Sequence, residues 1–506
     1  MVQAERSFDR VIVGGGSAGS VLAARLSEDP ACRVLLIEAG PDHGIHLPPA
    51  LADITVSSHP DHDWGDEVRL PGGRTQPYPR GRVLGGSSAV NGGIAIRAMP
   101  ADFDAWGFPE WRWEAMLDSF RRLESDPDGE ERWHGRDGPL PIMRTPEAEL
   151  LPVHAAFYES CKTAGFDYTA DHNAPNSNGV GPLPRNRRGL QRVSAADVYL
   201  TTQVRKRPNL EVRGGCLALT VRWNGNRAVG VDAVCGGRAE AIPAQEVILA
   251  AGVVQSPMLL WRSGIGPASE LAGLGIDVVA DRPGVGANFS DHPAIYLFAA
   301  PKPKMVTPED VTIQTLLRFT SSTGPANDLQ LFPVGRIDLA SSPRRQVEAG
   351  SLNTVFAFNA ALQQVEARGS VRPVSTNLAD PPAITYPFLA HRPDLERLVE
   401  AVELGLELLA TLPYQRVARG PLFLPDRLTR DELLAYVFTR HVAFYHGAGT
   451  CAMGSADDPA AVVGPDGRIW GTEGLRVCDA SIMPETPRAN TNLNVIAVAE
   501  RMAELI

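Results

Sequence analysis

The chain has 506 residues, of which 44% are hydrophobic and 21% charged, and its formal net charge at pH 7 is −11. Such a chain buries a sizeable core, which excludes general disorder and allows about three domains or one large α/β enzyme in two lobes. The negative charge argues against a nucleic acid or an anionic membrane surface as a partner, because both are polyanions.

Six cysteines are scattered along the chain, and no two form a C-x-x-C pair. A disulfide scaffold or a structural zinc site needs clustered sulfur ligands, which this spacing does not offer. We therefore expect reduced thiols in a cytoplasmic protein.

The first residues carry charge before any apolar run, at Glu5, Arg6, Asp9 and Arg10, so no signal peptide is expected. The most apolar stretch, 247–261, is interrupted by polar residues and a proline and is too short to span a bilayer. The sequence predicts a soluble protein with no integral membrane segment.

The first elements are predicted to be a strand, a glycine loop, a helix and a second strand. Residues 10–13 are a β-branched run, a glycine-rich loop follows at 14–19, and apolar residues at helical spacing continue to Leu26. A second apolar run, 33–37, leads into Glu38. This order is the first half of a βαβ unit.

Gly14, Gly16 and Gly19 form a G-x-G-x-x-G motif in the loop. The first glycine makes the tight turn, the second lets backbone approach a pyrophosphate, and the third permits close packing of the helix, whose N-terminus attracts phosphate. Glu38 stands where a carboxylate accepts hydrogen bonds from ribose hydroxyls. Because an acid there disfavours a 2′-phosphate, the motif predicts FAD or NAD and does not distinguish them.

Further elements follow from composition and spacing. Residues 71–93 predict an ordered loop, 102–123 a helix, 126–137 a solvated charged connection, and 210–248 short strands with a hairpin turn at 224–226. Residues 301–345 are proline-rich and irregular, 354–386 favour strands, 393–412 an amphipathic helix, and 491–506 a final helix.

The segment Gly81–Gly93, with the sequence GRVLGGSSAVNGG, resembles the first signature of the glucose-methanol-choline (GMC) flavoprotein oxidoreductases, and 252–266 resembles the second. The second departs from the family at Val253, where a smaller residue is favoured. Segments 283–292 and 477–484 are also similar to family segments. The resemblance runs from Asp9 to Ile506 and favours FAD over NAD.

The resemblance implies an α/β fold with a Rossmann-like FAD-binding domain and an α+β substrate-binding domain built on an antiparallel sheet. The FAD-binding domain is expected to be discontinuous and to comprise 1–50, 76–110, 188–300 and 437–506. The substrate-binding or cap domain is expected to comprise 51–75, 111–187 and 301–436.

The glycine motif, Glu38 and the family segments together give the expected cofactor-binding residues. These are Gly14, Gly16, Ser17, Ala18, Gly19, Glu38, Ala39, Arg82, Gly85, Gly86, Ser87, Asn91, Gly92, Gly93, Ala218, Ala251, Gly252, Asp479, Ala480, Asn490, Thr491 and Asn492. In some relatives a histidine of the second loop bonds covalently to the flavin. Its position corresponds here to Val90, which cannot form that bond, so the FAD is expected to be non-covalent.

His446 matches the catalytic histidine of the family, and Asn490 matches a second position that is His or Asn in relatives. The resemblance implies that His446 abstracts the hydroxyl proton while the α-carbon hydride goes to flavin N5, giving an aldehyde or ketone. A neutral imidazole suits proton removal, and an amide can orient the substrate oxygen. Tyr445 matches an aromatic position that borders the substrate.

The expected substrate is a small primary alcohol, aromatic or otherwise neutral, and the expected electron acceptor is O2, a quinone or another redox carrier. Lyase or light-driven decarboxylase chemistry on the same scaffold remains an alternative, as does a non-catalytic flavin-binding protein. His441 is a candidate for a supporting role, although a packed or surface histidine is the simpler interpretation. The sequence His59 to Asp63 is interpreted as a solvated loop, so no metal site is expected.

Overall fold

The computed structural model describes residues 7–44, 46–307, 310–339, 352–424 and 428–506. Glu5, Arg6 and parts of the 301–345 segment therefore lie outside the described residues.

A seven-stranded mixed sheet is built around the first strand, Phe8–Val13. Val34–Ile37 and Arg238–Leu249 flank it, both parallel to it. Val34–Ile37 is buried throughout, as expected of a parallel strand covered on both faces. The strand order is Leu210–Arg213, Val34–Ile37, Phe8–Val13, Arg238–Leu249, Arg227–Cys235 and Cys216–Asn224, with Leu475–Val477 also paired to Arg238–Leu249. The predicted βαβ unit and the hairpin at 224–226 are confirmed.

A second seven-stranded sheet is antiparallel, and one of its faces packs on helices. Its order is Ala418–Pro421, Pro293–Pro301, Thr354–Leu362, Leu329–Asp338, Thr315–Phe319 and Gly179–Pro182, with Val442–Ala443 paired to Pro293–Pro301. Phe358 of this sheet contacts Phe157 of helix Pro152–Thr163, with ring centroids 5.4 Å apart. Gly405 of helix Arg392–Leu409 lies against the same Phe358. This sheet and the mixed sheet confirm the expected fold class.

Smaller elements complete the described fold. One four-stranded sheet has the order Ser370–Arg372, Ala383–Thr385, Glu67–Arg69 and Thr75–Pro77. Two-stranded pairs are Ile265–Gly266 with Ala280–Asp281, Glu124–Ser125 with Leu140–Pro141, and Arg187–Arg188 with Gln191–Arg192. The α-helices of the described residues are Ser17–Leu26, Pro49–Ala52, Pro100–Asp104, Trp113–Leu123, Pro152–Thr163, Ala195–Tyr199, Thr202–Arg205, Gly252–Arg262, Ala268–Gly273, Arg392–Leu409, Leu412–Val417, Arg430–Arg440 and Thr491–Leu505.

Two predictions of local structure are wrong. The single helix over 102–123 is divided into Pro100–Asp104 and Trp113–Leu123, because Pro109 starts a separate 3-10 turn and cannot continue an α-helical hydrogen-bond ladder. The segment 301–345 is not irregular where it is described, since Thr315–Phe319 and Leu329–Asp338 are strands. Their pairing with neighbouring strands outweighs the local prolines.

The charged segment 126–137 is an exposed connection for most of its length, as predicted, but Asp126 and His134 within it are buried and belong to an ion cluster. His134 is 1% exposed, and its Nδ1 lies 2.8 Å from a Glu124 oxygen and 3.0 Å from an Asp126 oxygen. Its Nε2 lies 2.8 Å from an oxygen of Asp171. Arg144 bridges Asp126 and Asp171, with both N–O distances at 2.6 Å. Burial alone would lower the pKa of His134, but its hydrogen bonds to the carboxylates outweigh this and raise the pKa to about 10.

The prediction of six reduced thiols is wrong for one pair. Cys216 and Cys235 stand opposite each other on adjacent antiparallel strands and form a disulfide. Sequence spacing did not indicate this bond, because it is the hairpin register that brings the two residues together. The other four cysteines are free thiols, at positions 32, 161, 451 and 478.

The domain boundaries given above remain a prediction. Among the described helices, none combines the length and the apolar character needed to cross a membrane. The cytoplasmic location also remains a prediction.

Candidate active site

Two glycine-rich loops meet at backbone contact. Gly14 has a φ of 103°, which favours glycine, and a Cβ on Gly86 would stand 2.6 Å from the Cα of Gly16. The amide of Gly85 donates to the carbonyl of Gly15 at 2.8 Å. Side chains at these positions would push the loops apart, so the glycines let the loops 14–19 and 85–93 lie together.

Glu38 follows strand Val34–Ile37 and reaches the first loop. Its carboxylate is 5% exposed and accepts hydrogen bonds from the amides of Gly15 and Gly40, each at 2.8 Å. Burial raises the pKa of Glu38 to about 7, although these amides and the charge of Arg82 oppose the shift. The carboxylate therefore fixes the loop as well as standing at the strand end where a ribose is expected. Ala39 lies between Glu38 and Gly40 along the chain.

The second loop contains polar side chains that fold back on it. Ser87 Oγ accepts from the amide of Gly81 at 3.2 Å, and Asn91 Oδ1 accepts from the amide of Gly93 at 2.9 Å. The carbonyl of Gly92 accepts two hydrogen bonds from Arg185. Val90 packs beside a small apolar cluster of the same region.

The C-terminal segment closes on the first loop. Ser17 Oγ, at the start of the first helix, donates to Asn492 Oδ1, at the start of the last helix, at 2.7 Å. The two helices begin at Ser17 and Thr491, so two positive dipole ends lie next to each other. This confirms the predicted final helix and gives a region suited to negative charge.

A third helix start adjoins this region. The amide of Gly252 donates to an Asp479 oxygen at 2.8 Å, and Ser481 donates its amide to the other oxygen at 2.8 Å. Ala251 and Ala480 directly flank these groups in the chain. Ala218, by contrast, is buried within strand Cys216–Asn224 opposite Ala233.

His446 and Asn490 are brought together although 44 positions separate them. The Asn490 Nδ2 and His446 Nε2 atoms lie 3.0 Å apart in a buried pair. On its other side, His446 Nδ1 lies 3.0 Å from Nδ1 of His292. Burial holds the pKa of His446 well below its ordinary value, and the neighbouring His292 and Arg80 lower it further.

Asp291 holds the backbone of this histidine. Its Oδ1 accepts from the amides of His446 at 2.8 Å and of His292 at 2.7 Å, while its Oδ2 accepts from the Tyr78 hydroxyl at 2.8 Å. Burial raises the pKa of Asp291 to about 6. One carboxylate thus orders both histidine segments.

Tyr445 lies at the edge of the site in a left-handed backbone conformation, with a φ of 66°. Its hydroxyl accepts from Gln76 at 2.9 Å, and its carbonyl accepts from Arg80 at 2.7 Å. Its side chain is 37% exposed. These bonds stabilise a conformation that a non-glycine residue rarely adopts, directly before His446.

The other histidine candidates lie elsewhere. His441 is buried, bonds to the Phe438 carbonyl at 2.8 Å and contacts Arg74, which makes it a packed histidine. His59 and His62 have separate partners, since His62 Nε2 lies 2.9 Å from Nε2 of His43 and His59 bonds to a backbone carbonyl. The sequence His59 to Asp63 therefore does not converge on one point.

Sequence reasoning missed the roles of His292 and Asp291. The two residues are the last of segment 283–292, which resembles a family segment, but the resemblance gave neither residue a functional role. An adjacent Asp-His pair just before a strand was the available signal, but only the fold shows that it faces His446.

Comparison with known proteins identifies the family. The GMC oxidoreductase family is matched over residues 8–294 by its N-terminal part and over 365–499 by its C-terminal part. The chain belongs to the GMC oxidoreductase family. This GMC oxidoreductase is an FAD-dependent enzyme that acts on CH–OH donors, in line with the resemblance.

Its relatives match along nearly the whole chain. A GMC-type oxidoreductase of Rhodococcus erythropolis is 34% identical over 98% of this chain and 98% of its own. An oxygen-dependent choline dehydrogenase of Sinorhizobium fredii is 36% identical over 98% of this chain and 95% of its own. The crystal structure of pyridoxine 4-oxidase from Mesorbium loti is 31% identical with a TM-score of 0.90, covering 98% of this chain and 99% of that one.

The residues of the site fit FAD. Gly252 and Gly92 border open space, because a Cβ added to either residue would meet no other group of the described residues within 4 Å. Gly16 and Gly86 contact each other through backbone atoms. Converging helix N-termini suit the pyrophosphate, and Glu38 has the acceptor chemistry that a ribose hydroxyl needs.

Proposed function

We propose that this enzyme oxidises a small neutral alcohol to an aldehyde or ketone, with His446 as the base that takes the hydroxyl proton. Asn490 orients the substrate oxygen. The observation that carries the proposal is the buried contact of 3.0 Å between His446 Nε2 and the Asn490 amide, because it places a base and an amide donor side by side, where a substrate hydroxyl that takes the place of this bond meets both.

The protonation of His446 follows from its two neighbours. The Asn490 amide donates to Nε2, so Nε2 carries a lone pair. A neutral imidazole has one N–H, which must then be on Nδ1 and donate to His292 Nδ1. His292 in turn keeps its own proton on Nε2. In this tautomer the Nε2 lone pair accepts from Asn490 in the free protein, and it becomes the base for the substrate hydroxyl when that hydroxyl takes the place of this bond.

Bound FAD supplies the ring that accepts the hydride from the carbinol carbon. On this chain the loop 14–19 and the first helix would hold the pyrophosphate, Glu38 a ribose, and the second loop with Asn490, Thr491 and Asn492 the flavin side. We infer non-covalent attachment, because Val90 has no nucleophilic atom. Acid precipitation should therefore leave FAD in the supernatant, and flavin retained on the polypeptide would contradict this inference.

The electron acceptor is inferred to be O2, a quinone or another redox carrier. Two assays distinguish these acceptors. Oxygen consumption with substrate alone indicates an oxidase, whereas turnover that needs an added quinone or dye indicates a dehydrogenase.

The reaction class is tested by anaerobic mixing of the holoenzyme with a panel of alcohols in the dark. Bleaching of the flavin absorbance is expected with at least one alcohol, and the aldehyde or ketone should form in equal amount. A holoenzyme that stays oxidised with every alcohol, yet cleaves or decarboxylates another compound, would contradict the proposal in favour of the lyase or decarboxylase alternative.

A further inference from the structure

Three side-chain amides of the antiparallel sheet are buried without a hydrogen-bond partner. Gln330 is 1% exposed, and Asn359 and Gln363 are fully buried. Neither the oxygen nor the nitrogen of any of the three has a partner among the described residues. Buried polar groups are normally paired, since leaving them unpaired is costly. We call these three residues the amide cluster.

The strand register places the amide cluster around one small residue. Gln330 stands opposite Ala361, and Asn359 lies two positions before Ala361 on the same strand. Gln363 lies one residue beyond the end of that strand, where its backbone amide still donates to the Asp328 carbonyl at 2.7 Å. Residues two positions apart on a strand share a face. Ala294, on the neighbouring strand Pro293–Pro301, stands opposite Ala361, and both alanines are fully buried. Short side chains therefore lie at the centre, with amides around them.

This face of the sheet points toward the candidate active site. Phe332, opposite Asn359 and on the same face, stacks on Phe444 with ring centroids 6.1 Å apart. The ring centroids of Phe444 and His446 are in turn 4.4 Å apart. Arg318, opposite Gln330, donates to the carbonyl of Arg488 at 3.1 Å, two residues before Asn490. Elements that carry both catalytic candidates thus touch the face that bears the amide cluster.

Asp328, two positions before Gln330, is the acidic side chain beside the amide cluster, and its buried carboxylate is already bonded to Ser321 and Arg397. The buried Arg318, opposite Gln330, adds a positive charge to this face. The nearby Asp291 already accepts three hydrogen bonds from the protein. A cationic substrate would meet a like charge here and no free carboxylate.

We propose that the amide cluster binds a second hydrogen-bonding group of the substrate, so that this enzyme prefers neutral alcohols with a second polar group, such as diols or pyridyl alcohols. This inference rests on the proposed function. An amide offers both a donor and an acceptor, so a hydroxyl, a ring nitrogen or a carbonyl can each be bound. Sites built to bond a polar group reject analogues that lack it.

The first test compares alcohols of matched shape on the wild-type holoenzyme. Two neutral pairs are compared: 3-pyridinemethanol with benzyl alcohol, and 1,4-butanediol with 1-pentanol. In at least one pair we expect kcat/KM to be at least tenfold higher for the first alcohol, which has the second polar group. We also expect 3,3-dimethyl-1-butanol to be a better substrate than choline, its cationic counterpart. Equal values within both neutral pairs, or a preference for choline, would overturn the inference.

The second test replaces the amides by apolar side chains of similar size, as Asn359→Leu and Gln330→Met. The preference within the favoured pair should fall to less than threefold, because the second polar group of the substrate loses its partner. The Tm should stay level or rise, because no internal hydrogen bond is lost. A purely structural role would instead lower the Tm and leave the preference unchanged.

Asn173→Leu is the matched control. This buried asparagine is bonded at both its oxygen and its nitrogen, since it accepts from the Arg97 amide and donates to the Ala95 carbonyl, both at 2.9 Å. Its loss should lower the Tm without changing the preference. If no alcohol reduces the flavin at all, the proposed function fails. If mono-alcohols and polar alcohols reduce it equally well, only the inference about the amide cluster fails.

Discussion

The Nδ1 atoms of His292 and His446 face each other at 3.0 Å inside the protein. Two nitrogens at this distance need one proton between them, so the tautomer of one ring dictates that of the other. Burial lowers the pKa of His292 to about 3, which keeps this ring neutral and able to accept. His292 is thus a positioning residue for the proposed base.

Replacing His292 tests that relationship. His292→Phe keeps an aromatic ring but removes the acceptor, and should slow flavin reduction by about 10- to 100-fold, less than loss of the base itself. His292→Asn restores an acceptor oxygen and should recover most of the rate. Rapid-mixing measurements at equal FAD content would check both variants. Equal rates for the two variants would show that the acceptor is irrelevant.

His446→Ala should lower the rate of flavin reduction by at least ~100-fold, because the proposed proton acceptor is removed. FAD content should be unchanged, since the side chain is directed at Asn490 and His292. Asn490→Ala should cost less, because it leaves the base in place. If Asn490→Ala proves far slower than His446→Ala, the proposed roles are reversed.

The reduction rate should be nearly constant between about pH 6.5 and 9. Burial depresses the pKa of His446, so the neutral base is already the dominant form above its ordinary range, and protonation removes it only in acid. The rate should fall only when the pH drops well below the ordinary histidine pKa of about 6.5. A rise in rate between pH 7 and 9 would show that another group limits the reaction.

The sequence predicted those parts of the protein that depend on local order along the chain. The glycine loop, the strand before Glu38 and the final helix are each encoded within a few residues, so periodicity and turn residues were enough. The family segments supplied His446 and Asn490, which the fold brings together.

What the sequence did not predict depends on contacts between distant segments. His292 faces His446 across 154 positions, and the cluster around His134 joins charges that look solvated when read in order. The disulfide of Cys216 with Cys235 arises from strand register. Charge and spacing along the chain do not contain this information.

Glu38→Ala should weaken FAD retention. The buried carboxylate bonds to Gly15 and Gly40, and each charge-assisted bond contributes about 1.5–3 kcal/mol in proteins. Because the first loop loses its anchor, the Tm of the apoprotein should fall as well. Glu240→Ala, an exposed carboxylate on a strand of the same sheet, is the control and should change neither quantity. Unchanged FAD occupancy in Glu38→Ala would exclude Glu38 as the ribose ligand.

His134→Gln should lower stability, and by more at pH 6 than at pH 10. The carboxylates around His134 raise its pKa to about 10 in the folded protein, against an ordinary value of 6.5. The folded state therefore binds this proton more tightly than the unfolded state. The resulting stability is fully present below about pH 6.5 and is lost as the pH rises through about 10.

Removing one partner of a buried ionic cluster costs about 3–5 kcal/mol, less here because glutamine keeps some hydrogen bonds. Thermal unfolding of both proteins at the two pH values checks this, with the half-exposed His391→Gln as a control that should change little. A difference in Tm that is the same at pH 6 and pH 10 would show that His134 is neutral in the folded protein.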